Sequence, residues 1–279
     1  MEAMVRLSDD QLRQYDERGY VVLTGLFSDE EVTLLREEAD LLQTEQRGHP
    51  EANTYEKNGR IRAAWAMEID SPAYAAACRD PRVLEPVGQL LGGPEIYLLQ
   101  SRLNYKVAFE GDVFQWHQDY ASWEQDGVPD GDDHKVLTVL IMLDDTDEAN
   151  GPLRFVPGSH KEGLIRPEYD EATTSYALHV VPDPAVSRLA LANGVFANVG
   201  PAGTVAIFSG NLVHGSTANR SAHGRRNAYF AFNRLDNAPT ITQSRRKTAN
   251  AYIANYDPKP LAVLDEPVLP GLAAAGRSR

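Results

Sequence analysis

Two histidines and one carboxylate in this chain have the types and spacing to hold a metal ion. His117 and Asp119 lie two apart in Trp116-His117-Gln118-Asp119, and His214 follows far downstream in Val213-His214-Gly215-Ser216. Side chains two apart in an extended strand point to one face, so the spacing predicts that His117 and Asp119 share a strand face. A third ligand from a distant strand then requires a closed or sandwiched sheet. Two His and one carboxylate leave three octahedral positions open, the ligand set of non-haem Fe(II) oxygenases. A His-x-Asp pair also arises by chance, as a solvated loop pair beside an unrelated histidine, so its neighbours must decide.

Arg225, in Gly224-Arg225-Arg226-Asn227-Ala228, precedes the strand-like run Ala228 to Phe232. A guanidinium there can grip a carboxylate through two parallel hydrogen bonds. Arg226 reads as an ordinary surface arginine. Ser216 falls two residues after His214, on the same side, and can add a hydroxyl to the same anion. Lys106 offers a second cation, unless its stem carries the ammonium out to solvent.

The elements that must position these groups change character along the chain. Ser8-Asp9-Asp10-Gln11 predicts a capping box opening a helix to about Arg18, ended by Gly19. Tyr20 to Leu23 reads as a short strand. Ser28-Asp29-Glu30-Glu31 opens a second helix with Val32, Leu35, Ala39 and Leu42 on one face. Residues 46–60 read as a polar loop, and Pro72 to Leu91 as one or two helices broken near Pro81 and Pro86. From Ile96 onward the runs are strand-like: Ile96–Leu99, Ser101–Val107, Leu137–Leu143, Leu153–Val156, Thr204–Phe208 and Ala228–Asn233. Helices first and a β-rich body after predict helices packed outside a sandwich or distorted barrel. The weakly periodic segment 161–200 reads as a long connection of the kind that serves as a lid.

Composition narrows the function classes. Hydrophobic residues make up 42% and charged residues 24% of 279, enough apolar material for one large core. The net charge of −13 argues against nucleic acid, which selects clustered Lys and Arg. It also disfavours an anionic membrane, and no apolar run approaches the roughly 20 residues of a membrane span. Cys78 is the one cysteine, which excludes an internal disulfide and a Cys-based zinc site and fits a reducing cytoplasm. Its alanine-rich surroundings read as core. No basic-then-apolar leader is visible at the N-terminus.

With the motifs assembled, the chain resembles the phytanoyl-CoA dioxygenase superfamily of Fe(II)/2-oxoglutarate oxygenases. The likeness points to its branch of ectoine hydroxylase and free amino-acid hydroxylases. It is carried by Gly19-Tyr20-Val21-Val22-Leu23, Gln100 to Lys106, Trp116 to Tyr120, Trp123, Asp126-Gly127-Val128-Pro129, Asn150 to Leu153, Phe155 to His160, His214-Gly215-Ser216 and Asn233 to Ala238. The resemblance implies a mainly β fold with flanking α-helices around a double-stranded β-helix, a cupin-like jelly roll. It implies one domain over 1–279: a helical part at 1–95, a core at 96–240 with the lid-like 161–200, and a tail at 241–279. It implies His117, Asp119 and His214 as catalytic iron ligands, and Arg225, Lys106 and Ser216 around 2-oxoglutarate. Gln100, Trp123 and Asn227 match substrate-pocket positions. With Fe(II), 2-oxoglutarate and O2, the implied reaction hydroxylates an unactivated C–H and releases succinate and CO2. Related halogenases lack the carboxylate, so Asp119 implies hydroxylation.

The implied substrate is a small molecule, a free amino acid or similar zwitterion, handled by a cytoplasmic monomer or homodimer. Two alternatives stand beside it: the same chemistry on a peptide or polyketide intermediate, and a silent metal-binding module. Segment 161–200, the acidic stretch Pro129 to Lys135 and the tail around Tyr252 to Asp257 depart from the relatives. His160 reads as a turn anchor and His134 as a loop histidine.

Overall fold

Ser8 and Ser28 each accept from the backbone N–H three residues on, while Gln11 and Glu31 reach back to the cap, so both predicted capping boxes form. They open α1 (Asp9–Arg18) and α2 (Asp29–Gln43), with β1 (Tyr20–Leu23) between them. The structure is a computed structural model, and it describes residues 6–44, 50–132, 134–174, 176–247 and 250–276. After α2 come β2 (Asn53–Tyr55), β3 (Ile61–Trp65), α3 (Met67–Asp70), α4 (Pro72–Ala77) and α5 (Pro81–Leu90). Pro81 starts α5, where its missing N–H is harmless, but Pro86 lies inside the helix rather than breaking it. The body contains β4 (Ile96–Lys106), β5 (Phe114–His117), α6 (Asp119–Gln125), β6 (Val136–Met142) and β7 (Leu153–Phe155). Then follow β8 (Glu168–Asp170), β9 (Leu178–Val180), α7 (Asp183–Asn193), β10 (Phe196–Asn198), β11 (Val205–Ser209), β12 (His214–Ser216), β13 (Arg225–Arg234) and α8 (Leu269–Gly276).

The strands form two antiparallel sheets. One has seven strands in the order β1-β11-β6-β13-β4-β3-β2, and the other six in the order β10-β7-β12-β5-β9-β8. Strand alternation assigns each face of the large sheet. Val139 and Ile141 of β6 turn outward onto Leu35, Tyr74 and Val87 of the helices. Leu140 and Met142 turn inward with Ala206 and Phe208 to meet Leu153 and Phe155 of the smaller sheet. With both faces covered, β6 is buried throughout, which is why it reads as an unbroken apolar run.

Three sequence expectations change. The polar region 46–60 supplies β2 and the approach to β3, although 45–49 lie outside the described residues. The N-terminal part also holds more strand than expected: the expected β1 lies at one edge of the large sheet, and β2 and β3 extend the other. Segment 161–200 is also not a plain connection, since it holds β8, β9, α7 and β10. These strands are three residues long, too short for alternation to register.

Candidate active site

His117 ends β5 and Asp119 is the first residue of α6, so the pair spans a strand-to-helix junction instead of sharing a strand. His214 begins β12 and is the direct antiparallel partner of His117. The two histidines are thus neighbours in one sheet, and no wrap between sheets is needed to bring them together. All three side chains are buried, and their donor atoms lie within 4.8 Å of one another. Each Nε2 stands 3.8 Å from Asp119 Oδ1, and the two rings are 4.1 Å apart at their centroids.

The outer contacts aim these donors. His117 Nδ1 bonds the Gln115 carbonyl at 2.7 Å and His214 Nδ1 the Leu212 carbonyl at 2.9 Å. Both imidazoles therefore donate through Nδ1 and present a lone pair at Nε2, the usual arrangement for a metal-binding histidine. Burial, with His214 alongside, pushes the His117 pKa down to about 3, and burial lowers that of His214. Burial alone would raise Asp119, but Arg102 and the two imidazoles outweigh it and hold the carboxyl well below the usual range. Two neutral imidazoles and an ionised carboxylate fit a divalent metal.

Arg225 is 1% exposed on the inward face of β13. Its Nη2 donates to the Gly151 carbonyl at 2.8 Å, and with the Asn227 amide turned so that both its oxygen and nitrogen find partners, Nη1 donates to that oxygen at 2.6 Å. Nε has no hydrogen-bond partner, and among the described residues no carboxylate forms an ion pair with Arg225. An unpaired buried guanidinium is costly, so this one fits a carboxylate brought by a ligand. Gly151 must be glycine: its φ is +80°, and a Cβ there would lie 2.6 Å from the Thr217 carbonyl oxygen.

One cavity joins the metal triad to Arg225, and Ser216, Gln100 and Trp123 lie in its wall. Its empty volume is about 650 Å³, counted out to its mouth. Lys106 and Asn227 are not among the residues that line it. Lys106 pairs across the ladder with Arg225 and gives its ammonium to the Thr217 carbonyl. Burial, with Arg225 and Arg62 nearby, lowers its pKa far below the lysine range. Gln100 is already engaged, donating to the Ile253 carbonyl of the tail and accepting from Arg102 Nη1 at 2.8 Å. His160 bonds the Asp16 carbonyl at 3.1 Å and serves as a turn anchor; His134 Nδ1 lies 3.2 Å from the Leu90 carbonyl, away from the cavity.

Sequence reasoning missed Arg102, Tyr176 and Arg246, which also line the cavity. Arg102 was within reach, because Gln100, Arg102 and Asn104 alternate onto one face of β4. Arg246 had no local signal. It arrives from the tail and pairs with Asp126, Nε to Oδ1 at 2.9 Å, while Asp126 is fully buried.

The model of the family described as phytanoyl-CoA dioxygenase (PhyH) matches residues 15–227. The chain belongs to that family. Among its relatives, the ectoine dioxygenase of Bordetella parapertussis is 35% identical over 83% of this chain and 77% of its own length. The L-proline trans-4-hydroxylase of Streptomyces griseoviridis is 33% identical over 86% of this chain and 91% of its own. The crystal structure of EctD from S. alaskensis with 2-oxoglutarate and 5-hydroxyectoine superposes with a TM-score of 0.80 at 31% identity, covering 95% of this chain and 89% of that one. Among the described residues no helix is long and apolar enough to cross a membrane.

Proposed function

We propose that this family member is an Fe(II)- and 2-oxoglutarate-dependent dioxygenase that hydroxylates an unactivated C–H of a free amino acid or amino-acid-like zwitterion. The carrying observation is the buried His117, Asp119, His214 cluster opening on the same cavity as Arg225, a buried guanidinium with no acid partner among the described residues. Fe(II) bound there, with 2-oxoglutarate and O2, supplies the oxidising chemistry, and the protein orients the substrate and excludes water. His117 and His214 contribute neutral nitrogens and Asp119 one oxygen. Arg225, with Ser216 beside it, takes the far carboxylate of 2-oxoglutarate. Asn227 acts through Arg225 by accepting from its Nη1, and Lys106, the cross-strand partner of Arg225, stands beside it at the same end of the site.

Gln100, Arg102 and Trp123 line the remaining wall and are assigned to the substrate. Arg102 suits a substrate carboxylate, and the ring faces of Trp65 and Tyr176 suit an apolar or cationic portion. The retained Asp119 carboxylate supports hydroxylation over halogenation. The two sheets are read as the faces of a jelly roll within a single domain, with 161–200 as its lid. The single thiol, Cys78, is buried, with its pKa raised to about 12 by burial, which suits a cytoplasmic location.

The test is succinate release from 2-oxoglutarate with Fe(II) under O2, in the presence of ectoine, L-proline and a panel of free amino acids. One or more of these is expected to raise succinate above the substrate-free background and to gain one oxygen atom. If none does, the substrate class is wrong; if Fe(II) and 2-oxoglutarate do not bind, the activity is.

A further inference from the structure

Gln118, the residue between the first two metal-binding side chains, is 1% exposed and sits at the N-cap of α6 without capping it. Its amide instead joins three pieces of chain. Nε2 donates to the Gly163 carbonyl at 2.8 Å and to the Asn211 carbonyl at 2.6 Å, and Oε1 accepts from the Ile165 N–H at 2.8 Å. Asn211 directly precedes Leu212, whose carbonyl orients His214. Gly163 and Ile165 are the root of the segment that brings Tyr176 and Leu178 to the cavity.

The far end of that segment returns to the same place. Val180 pairs with His117, the one position at which β9 joins β5, and the Val181 N–H donates to the Trp116 carbonyl at 2.8 Å. The described parts of the segment, 163–174 and 176–181, are therefore tied at both ends to residues 116–118. Those residues bear or flank the metal-binding side chains.

We propose that Gln118 is a positioning residue that couples the seating of segment 163–181 to metal binding by His117, Asp119 and His214. This rests on the reading of those three side chains as a metal site. Coupling is reciprocal: if a seated segment favours the metal, the metal seats the segment. Outer contacts that orient metal-binding groups are worth about 10–100-fold in metal affinity.

The experiment compares the whole chain with Gln118→Glu, which keeps the acceptor for Ile165 but loses both donors, and with Gln118→Met, which loses all three bonds. Co(II) is the probe, with Fe(II) under argon as the check. Metal affinity and amide hydrogen exchange over 163–181 are both measured, with and without metal. In the parent chain, metal is expected to slow exchange in 163–181 and to leave α1 unchanged. Both variants are expected to bind metal about 10-fold or more weakly and to lose most of that protection. Gln118→Glu, which sets a buried carboxylate against the Gly163 and Asn211 carbonyls, is expected also to lower the metal-free melting temperature, so affinity and protection are read in the folded protein. A purely structural role would lower the melting temperature but leave affinity and protection intact in the folded fraction, and that result overturns the proposal. So does a parent chain that binds metal with no change in 163–181, a measurement that holds even if both variants fail to fold. A parent chain that binds neither metal overturns the iron reading itself and this inference with it.

Discussion

Arg102 and Asp119 form a largely buried ion pair at the edge of the metal site, Nη2 to Oδ1 at 3.3 Å, while Thr138 donates to the other carboxylate oxygen at 2.9 Å. The same Oδ1 faces both histidines. A metal held by these three side chains must share that oxygen with Arg102 or displace it.

Thr138→Val separates the orienting role of the hydroxyl from packing, because the shapes match. Thr138 is 1% exposed on the inward face of β6. Loss of its bond to Asp119 should weaken Fe(II) binding by about 10-fold or more. The effect on unfolding free energy should stay near 1 kcal/mol, the usual net worth of one hydrogen bond. Anaerobic Fe(II) titration and urea unfolding check the two numbers.

His117→Ala and Asp119→Ala should each abolish turnover and Fe(II) binding. Asp119→Ala also leaves Arg102 without its acid, so it should destabilise the metal-free protein more than His117→Ala does. Full activity in either variant contradicts the metal assignment.

Arg225→Met should act in opposite directions on ligand and fold. Removal of the partner of a buried carboxylate costs about 3–5 kcal/mol, or roughly a hundredfold to a few thousandfold in 2-oxoglutarate affinity. The ligand-free protein, relieved of a buried unpaired charge, should melt at the same temperature or higher. Calorimetric titration of 2-oxoglutarate and a thermal melt without it provide the comparison.

Acid should destabilise the metal-free protein over a defined window. His117 is lowered from 6.5 to about 3, and His214 and Asp119 are also lowered, so the native state binds fewer protons than the unfolded one. Their contribution is fully present above about pH 6.5 and is lost as pH falls toward 3. Urea unfolding across that range should show stability falling with pH, with a shallower slope in His117→Gln.

Arg246→Met strands the fully buried Asp126 carboxylate and should cost about 3–5 kcal/mol of stability, whereas adding Asp126→Leu should recover most of it. Denaturant midpoints of the two variants make the test. No recovery would assign the loss to packing of the tail.

The sequence alone determined the donor types, both capping boxes, the long strands and the pairing of Ser216 with His214 on one face, because these depend on periods of 2 and 3.6 within single elements. It did not determine who stands beside whom. Only the tertiary structure made His117 and His214 partners in one sheet, set Asp119 at a helix start, and carried Arg246 from the tail into the cavity wall. Packing of the two sheets and their helices selects those long-range contacts, and nothing within a short window encodes them. Short strands such as β8, β9 and β10 stayed hidden for the same reason: three residues hold too little alternation, and their partners lie far away in the chain.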